Sequence, residues 1–266
     1  MIASLEVRKT FRRRNLVALG SFALIAALTL GSSVVTAFDW PASLRSFPKA
    51  LDWMAANFIP DGRALRNAPK IGAKLAETLL VSVMATVLAA ACSFFMAILG
   101  SKTTRLHPLV SGFVRLVASL CRNIPVVAWA MIFLLSFGQN VLTGLLSLFI
   151  GTFGFLTRAF METVDETAES SVEALKASGA PWLATVTQAV VPSILPQVAS
   201  WILYMVETNI RDATLVGILT GTGIGFLFDL YYKSLNFPSA AFVVLCIIVL
   251  VILIETLSNA LRRLML

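Results

Sequence analysis

The residues able to do chemistry gather in the second half of the chain. The stretch EALKASGAPWLATVTQAVVPSILPQ, residues 173–197, brings charge, a Gly and three Pro into an otherwise oily sequence. Beyond it Ser193, Gln197, Ser200, Tyr204, Glu207 with Thr208, and Arg211 recur at helical steps, which places them on one face of a helix. A Glu or Arg in hydrocarbon costs about 2.5–3.5 kcal/mol, so such a stripe must face protein or a water-filled path. Passage of a polar solute is the chemistry that fits. Ser193 and Ser200 read as groups bonding to neighbouring helices. Glu207 and Arg211, expected near the outer end of their span, either pair with each other or meet a gate or an anion, and the residues leave both open.

Other chemistries find little support. The single histidine, His107, lies in a basic stretch without a nearby acid and reads as solvated. Cys92, Cys121 and Cys246 are isolated, with no metal or disulfide spacing, and read as packing residues. No metal site is expected. The Gly-rich segment 214–228, with Gly217, Gly221, Gly223 and Gly225, lacks the spacing and the strand–helix setting of a dinucleotide fingerprint. It is too short and broken for a comfortable span and reads as a re-entrant gate, because irregular backbone at membrane depth survives only beside protein or water. GxxxxGK[ST] is absent, and no segment is large enough for a nucleotide-binding domain. Any ATP must be handled elsewhere.

The elements that position these residues follow from composition. With 58% hydrophobic and 13% charged residues and a mean hydropathy of +0.87, the chain lies outside the soluble class. Uncharged runs at 16–38, 78–100 and 237–254 can each cross about 30 Å of hydrocarbon. The run 124–157 is too long for one crossing and carries Gly138, Gln139 and Asn140 at a natural break, so it reads as a hairpin of two spans. With 190–210 the expectation is six spans, all helical. A cleavable signal is the rival reading of the N-terminus, but its apolar run is too long and lacks a clear cleavage motif.

Five of the first fourteen residues are basic (Arg8, Lys9, Arg12, Arg13, Arg14) and Arg262 and Arg263 end the last helix, which places both termini in the cytoplasm. The connection 39–77 then lies outside, although it holds six basic residues. Within it Leu44, Phe47, Leu51, Met54 and Phe58 recur at helical steps, with Trp40 and Trp53 suited to the headgroup level. Anchoring in the interface is the favoured reading, docking of an external partner the sharper one. The net charge of +7 reflects flanks that meet anionic lipid and requires no nucleic acid.

On the cytoplasmic side Glu162, Glu166, Glu169 and Glu173 form one helical stripe with Asp165 beside it, an acidic helix continuing the fourth span into solvent. Gly179 suits the left-handed turn that ends such a helix, and Pro181 the start of the next. A short helix, a sharp corner and a second short helix result. Ala174, Ala177, Gly179 and Ala180 leave the corner bare, and Leu175 and Trp182 are expected as apolar knobs for another protein.

Here the sequence resembles the inner-membrane permease subunits of ABC importers. Their coupling loop carries Glu-Ala-Ala, a Gly four residues later and a Pro further on, matched by Glu173, Ala174, Gly179 and Pro192. Leu175 replaces the second Ala, and Ala189 and Val191 the later Ile and Leu. Downstream, Pro192, Pro196, Gln197, Glu207, Asn209, Ile210, Arg211, Ala213, Thr214, Gly217, Gly223, Ile224 and Gly225 are similar to the phosphonate and phosphite branch, as is RNIPVVAWAMIF from Arg122. Thr222 and Thr220 depart from the usual small residues there. The similarity covers roughly residues 75–266.

The resemblance implies an all-α membrane protein of the type I importer permease fold. Residues 1–74 would form a basic segment, first span and periplasmic interfacial helix, and 75–266 a core with coupling loop 158–192. It implies that Glu173, Ala174, Leu175, Ala177, Gly179, Ala180 and Trp182 couple to an ATP-binding subunit. Gln197, Ser200, Tyr204, Glu207, Asn209, Arg211, Gly217, Gly221, Gly223 and Gly225 would shape the path or gate. No cofactor is expected on this chain, with ATP and Mg on the ATPase. A second permease copy or paralogue and a periplasmic substrate-binding protein are the further partners, in a bacterial inner membrane. A methionine or other small-solute importer, and an ion-driven carrier, are the rivals; an intramembrane enzyme is a more distant one.

Overall fold

The computed structural model describes residues 2–265, without the side chains of residues 2–10, 63 and 265. Of the basic side chains counted for orientation, Arg8, Lys9 and Arg63 therefore lie outside the described residues. Among the described residues there is no strand.

The described residues divide after Asn57 into two compact units. The first holds α1 (Ile2–Val35), whose stretch Phe11–Val35 is long and apolar enough to cross a membrane, and α2 (Trp40–Asn57), the amphipathic helix. The division falls upstream of the boundary at 74 drawn from sequence, because α3 (Gly62–Arg66) packs on α12 (Phe237–Met265) within the second unit.

In that second unit α7 (Val141–Thr167) is the centre, its apolar stretch 50% buried. Packed on it are α4 (Ala68–Gly100), α5 (Pro108–Asn123), α6 (Val126–Phe137) and α10 (Val191–Thr220). Leu156, Phe160, Met161 and Val164 of α7 meet Ala90 and Ala97 of α4 and Ile194, Val198 and Met205 of α10 in the main core. Gly154 lets the backbone of α5 approach α7 at Cys121 and Arg122, where a Cβ would clash. Buried hydroxyls return hydrogen bonds to the preceding turn, as Ser82 does to Thr78 and Thr163 to Ala159. This satisfies them without water.

The third span departs from expectation. The break at 138–140 is present: Gly138 ends α6 with φ +72, and the Asn140 side chain caps α7 by accepting from the Thr143 amide at 2.9 Å. Yet α6 has only 12 residues, about 18 Å of helix against about 30 Å of hydrocarbon. It joins α5 across a 91° bend. Pro125 is the cause, since it forces Ile124 into an extended conformation (φ −89°, ψ 123°). Among the described residues five helices are long and apolar enough to cross alone, and a sixth crossing requires the bent pair. Residues 108–123 are accordingly helix leading into the bundle, and His107 is exposed as expected, with its Nδ1 also capping α5 by accepting from the Leu109 amide. Cys92 is exposed rather than packed.

Candidate functional site: a docking hairpin and a polar helix face

The acidic helix is broken. α7 ends at Thr167, and α8 (Glu169–Ala177) starts after a bend at Ala168. α8 carries Glu169 in its first turn and Lys176 in its last, the arrangement its dipole favours. Gly179 follows with φ +80; its amide donates to Lys176 and that of Ala180 to Leu175, each at 3.0 Å. This pair of bonds is the Schellman closure, and the left-handed residue it needs is supplied by Gly. Pro181 opens α9 (Trp182–Thr185), and a π turn at Val186–Val190 leads into α10. Pro192, with no N–H for the Gln188 carbonyl, accounts for the irregular ladder there.

Glu173, Ala174, Ala177 and Gly179 are exposed together, with Ala180 half-buried beside them. The two expected knobs are not outward. Leu175 packs on the main core, and Trp182 is half-buried with its indole Nε1 donating to the Thr104 carbonyl at 2.8 Å. Both bulky apolar groups gain more from the bundle than from solvent. Leu183, 65% exposed, is the apolar side chain the hairpin presents.

Asp165 also differs from the solvated residue expected. Its Oδ1 accepts from Ser101 Oγ at 2.5 Å and from the Thr103 amide and hydroxyl at 3.0 and 3.1 Å. Arg115 stands 3.6 Å from Oδ2 and donates to the Gly100 carbonyl. Ser101 is separated from Asp165 by 64 residues, so no local pattern signals the contact.

Along α10, Gln197, Tyr204 and Arg211 are exposed, and Ser193, Ser200, Glu207 and Thr208 half-buried. Ser193 and Ser200 bond back to Ala189 and Pro196 of their own stretch rather than across helices. Glu207 sits past the midpoint of a 30-residue helix, not at its far end. Its Oε1 pairs with Arg211 Nη1 at 3.0 Å, and its Oε2 lies 4.0 Å from Arg262 Nη2. Among the described residues the Nε and Nη2 of Arg262 find no hydrogen-bond partner. The ion pair thus exists, and Arg211 remains 47% exposed beside it. Arg262 was legible only as an end-of-helix charge.

Asn209 faces the other way. It is buried, and its Nδ2 donates to Thr86 Oγ1 at 2.8 Å while its Oδ1 accepts from Thr152 Oγ1 at 3.1 Å. Ser82 adds a bond to its carbonyl at 3.1 Å. Thr78, Ser82 and Thr86, which stand one turn apart on α4, therefore serve helix packing. With interhelical bonds in membranes worth about 0.6–1.7 kcal/mol each, Asn209→Ala should destabilise the protein by about 1–3 kcal/mol. Unfolding in mixed micelles would measure it; an unchanged midpoint would contradict the network.

The Gly-rich segment is more regular than a re-entrant loop. α10 runs unbroken to Thr220, and α11 (Gly223–Lys233) starts after a turn with Gly221 at φ +69 and Gly223 at φ +61. Glu77 Oε1 accepts from the Gly223 amide at 3.0 Å and Thr78 Oγ1 from Ile224 at 2.8 Å. An α4 carboxylate, also paired with Lys74, thus caps a helix 146 residues away. Gly217 and Gly225 sit where α10 and α11 touch backbone to backbone, since a Cβ on either would strike Thr222 or Thr214.

Residues 89–265 match the family described as the binding-protein-dependent transport system inner membrane component. The chain belongs to that family. In fold the chain is similar to the MetNI methionine ABC transporter, with a TM-score of 0.66 at 15% identity, over 77% of this chain and 99% of that one. The chain is also 32% identical over 202 residues to the phosphate-import permease protein PhnE of Mycolicibacterium smegmatis, covering 76% of its own length. It is 31% identical to the phosphite transport system permease protein PtxC of Stutzerimonas stutzeri, covering 71%. It spans 38% of the length of the first and 69% of the second. An all-α, multi-pass importer permease fold is therefore the architecture.

Proposed function

We propose that this chain is the permease subunit of an ATP-driven importer for phosphonate- or phosphite-type oxyanions. The observation that carries the reading is the polar face of α10, which stands exposed on a membrane helix with Arg211 half-free beside its carboxylate. A second permease copy or paralogue laid against this face would enclose a hydrated path, removing the cost of leaving Arg and Glu against lipid. A guanidinium with spare donors suits a tetrahedral oxyanion. The relatives named for phosphate and phosphite transport support that solute class over methionine.

The bare face of α8 and Gly179 would dock on a separate ATP-binding subunit, which would hold ATP and Mg. Nothing in this chain would perform hydrolysis. A periplasmic binding protein would deliver the solute, and both termini would lie in the cytoplasm. ATP binding would close the hairpin side and open the other; hydrolysis would reset it. Among the path residues, Gln197, Ser200, Tyr204, Glu207 and Arg211 line the face, Asn209 holds it in place, and Gly217, Gly221, Gly223 and Gly225 fix the corner beside it.

Reconstitution with and without a candidate ATPase and binding protein, using labelled phosphite, methylphosphonate and methionine, tests this. ATP-dependent accumulation of a phosphorus oxyanion is expected. Accumulation of methionine alone, or uptake without the ATPase, would overturn the assignment.

A further inference from the structure

We propose that the corner at residues 101–105 is the receiver that carries hairpin movement into the bundle, with Trp182 and Asp165 as positioning residues. The proposal rests on the reading of α8–α9 as the ATPase-docking hairpin. Two side chains of that hairpin reach the corner directly. Trp182 Nε1 donates to the Thr104 carbonyl at 2.8 Å, and Lys176 Nζ to the Thr103 carbonyl at 3.0 Å.

The corner is in turn bound to the bundle. Asp165 at the end of α7 holds Ser101 and Thr103 through three hydrogen bonds. Thr104 Oγ1 donates to Ile98 at 2.5 Å, and the Gly100 carbonyl accepts from Ser111 at 2.7 Å and from Arg115. Ser101 and Thr104 are buried. The C-terminal end of α4, the start of α5 and the end of α7 thus meet in one satisfied polar knot. Such a knot moves as a block, since any slip leaves buried donors or carbonyls unpaired.

The covalent routes out of the hairpin are softer. On one side the chain bends at Ala168, which keeps its bonds to Val164 and Val172, and on the other the π turn at Val186–Val190 breaks the regular ladder. Both are places where a helix bends at low cost. A push on α8 therefore reaches α4 and α5 through Trp182 and Lys176 as well as α10 through the chain. α4 also caps α11 through Glu77 and Thr78, so the receiver sits on the helix that holds the opposite corner.

The test uses the permease–ATPase complex with Cys92, Cys121 and Cys246 replaced by Ser and a cysteine introduced as Ala177→Cys. Disulfide trapping against the ATPase reports docking. Hydrogen exchange at 100–107, with ADP or a non-hydrolysable ATP analogue, reports whether the nucleotide signal arrives. In the parent, trapping and a nucleotide-dependent change at 100–107 are expected. Trp182→Phe keeps the ring and loses the N–H; it should trap undiminished while the exchange response at 100–107 is lost and that at 186–190 persists. Asp165→Ala should behave alike. A full response at 100–107 in a trapping-competent Trp182→Phe complex overturns the proposal, whether or not Asp165→Ala folds. Absence of trapping in the parent instead removes the docking reading, and the receiver with it.

Discussion

Gly225→Ala is expected to leave little folded permease in the membrane. Gly225 is the third residue of α11, and a Cβ there would fall on the carbonyl oxygen of Thr214 in α10, with the Ile218 amide close behind. Both obstacles are main chain, so no rotamer change relieves them. The two helices would have to separate, and separation pulls Gly223 and Ile224 from their caps on Glu77 and Thr78. It also opens the cluster of Ile224, Leu227 and Tyr231 against Ile71, Ala240 and Val243. Overpacking against a side chain typically costs about 1–3 kcal/mol; with backbone as the obstacle and two caps lost, about 3 kcal/mol or more is expected. That is a large share of the roughly 5–15 kcal/mol that holds a folded chain together. Size-exclusion yield and thermal unfolding in detergent measure it. A yield and midpoint like those of the parent would show that the helices do not touch as described.

The second large effect is expected in uptake with no comparable loss of folded protein. At Gly179 a side chain would meet no atom of this chain within 4 Å, so the cost to the permease itself is the left-handed φ of +80 alone. That is about 1–2 kcal/mol for most residues and less for Asn, which tolerates the conformation. Gly179→Asn and Gly179→Val therefore separate backbone from contact. If the bare corner seats in a groove on the ATPase, both should reduce ATP-dependent uptake by about tenfold or more, the effect of roughly 1.4 kcal/mol lost in docking. Both should still accumulate in the membrane. Uptake restored in the Asn variant would assign the effect to backbone geometry and remove the contact.

The residues that made the hairpin legible act locally. A left-handed corner after a helix needs Gly, and Gly179 stands where the Schellman bonds close; the Gly138–Asn140 break is of the same kind. The residues misread were those whose partners lie far along the chain. Asp165 stands beside a stripe of exposed acids, yet it turns to Ser101 and Thr103. Leu175 and Trp182 matched an apolar surface, yet they turn inward. Neither periodicity nor composition distinguishes an apolar group that meets its own bundle from one that meets a partner. Richness in Gly gives segment 214–228 the look of irregular backbone. There the glycines mostly serve close contact between two helices, which only the crossing of α10 and α11 makes visible.

What the sequence determined by itself was the solvent and the local geometry. Uncharged runs long enough for a bilayer, the helical spacing of the α10 polar face and the Gly and Pro corners all follow from short-range physics. The tertiary structure alone decided which polar groups meet. Glu77 reaches an amide 146 residues away, Asn209 bridges Thr86 and Thr152, and Arg262 shares Glu207 with Arg211. In a bilayer a buried polar group must find a partner inside the protein, but the chain does not state which one. That choice is made when the helices pack, because packing sets the depth and face at which each group arrives.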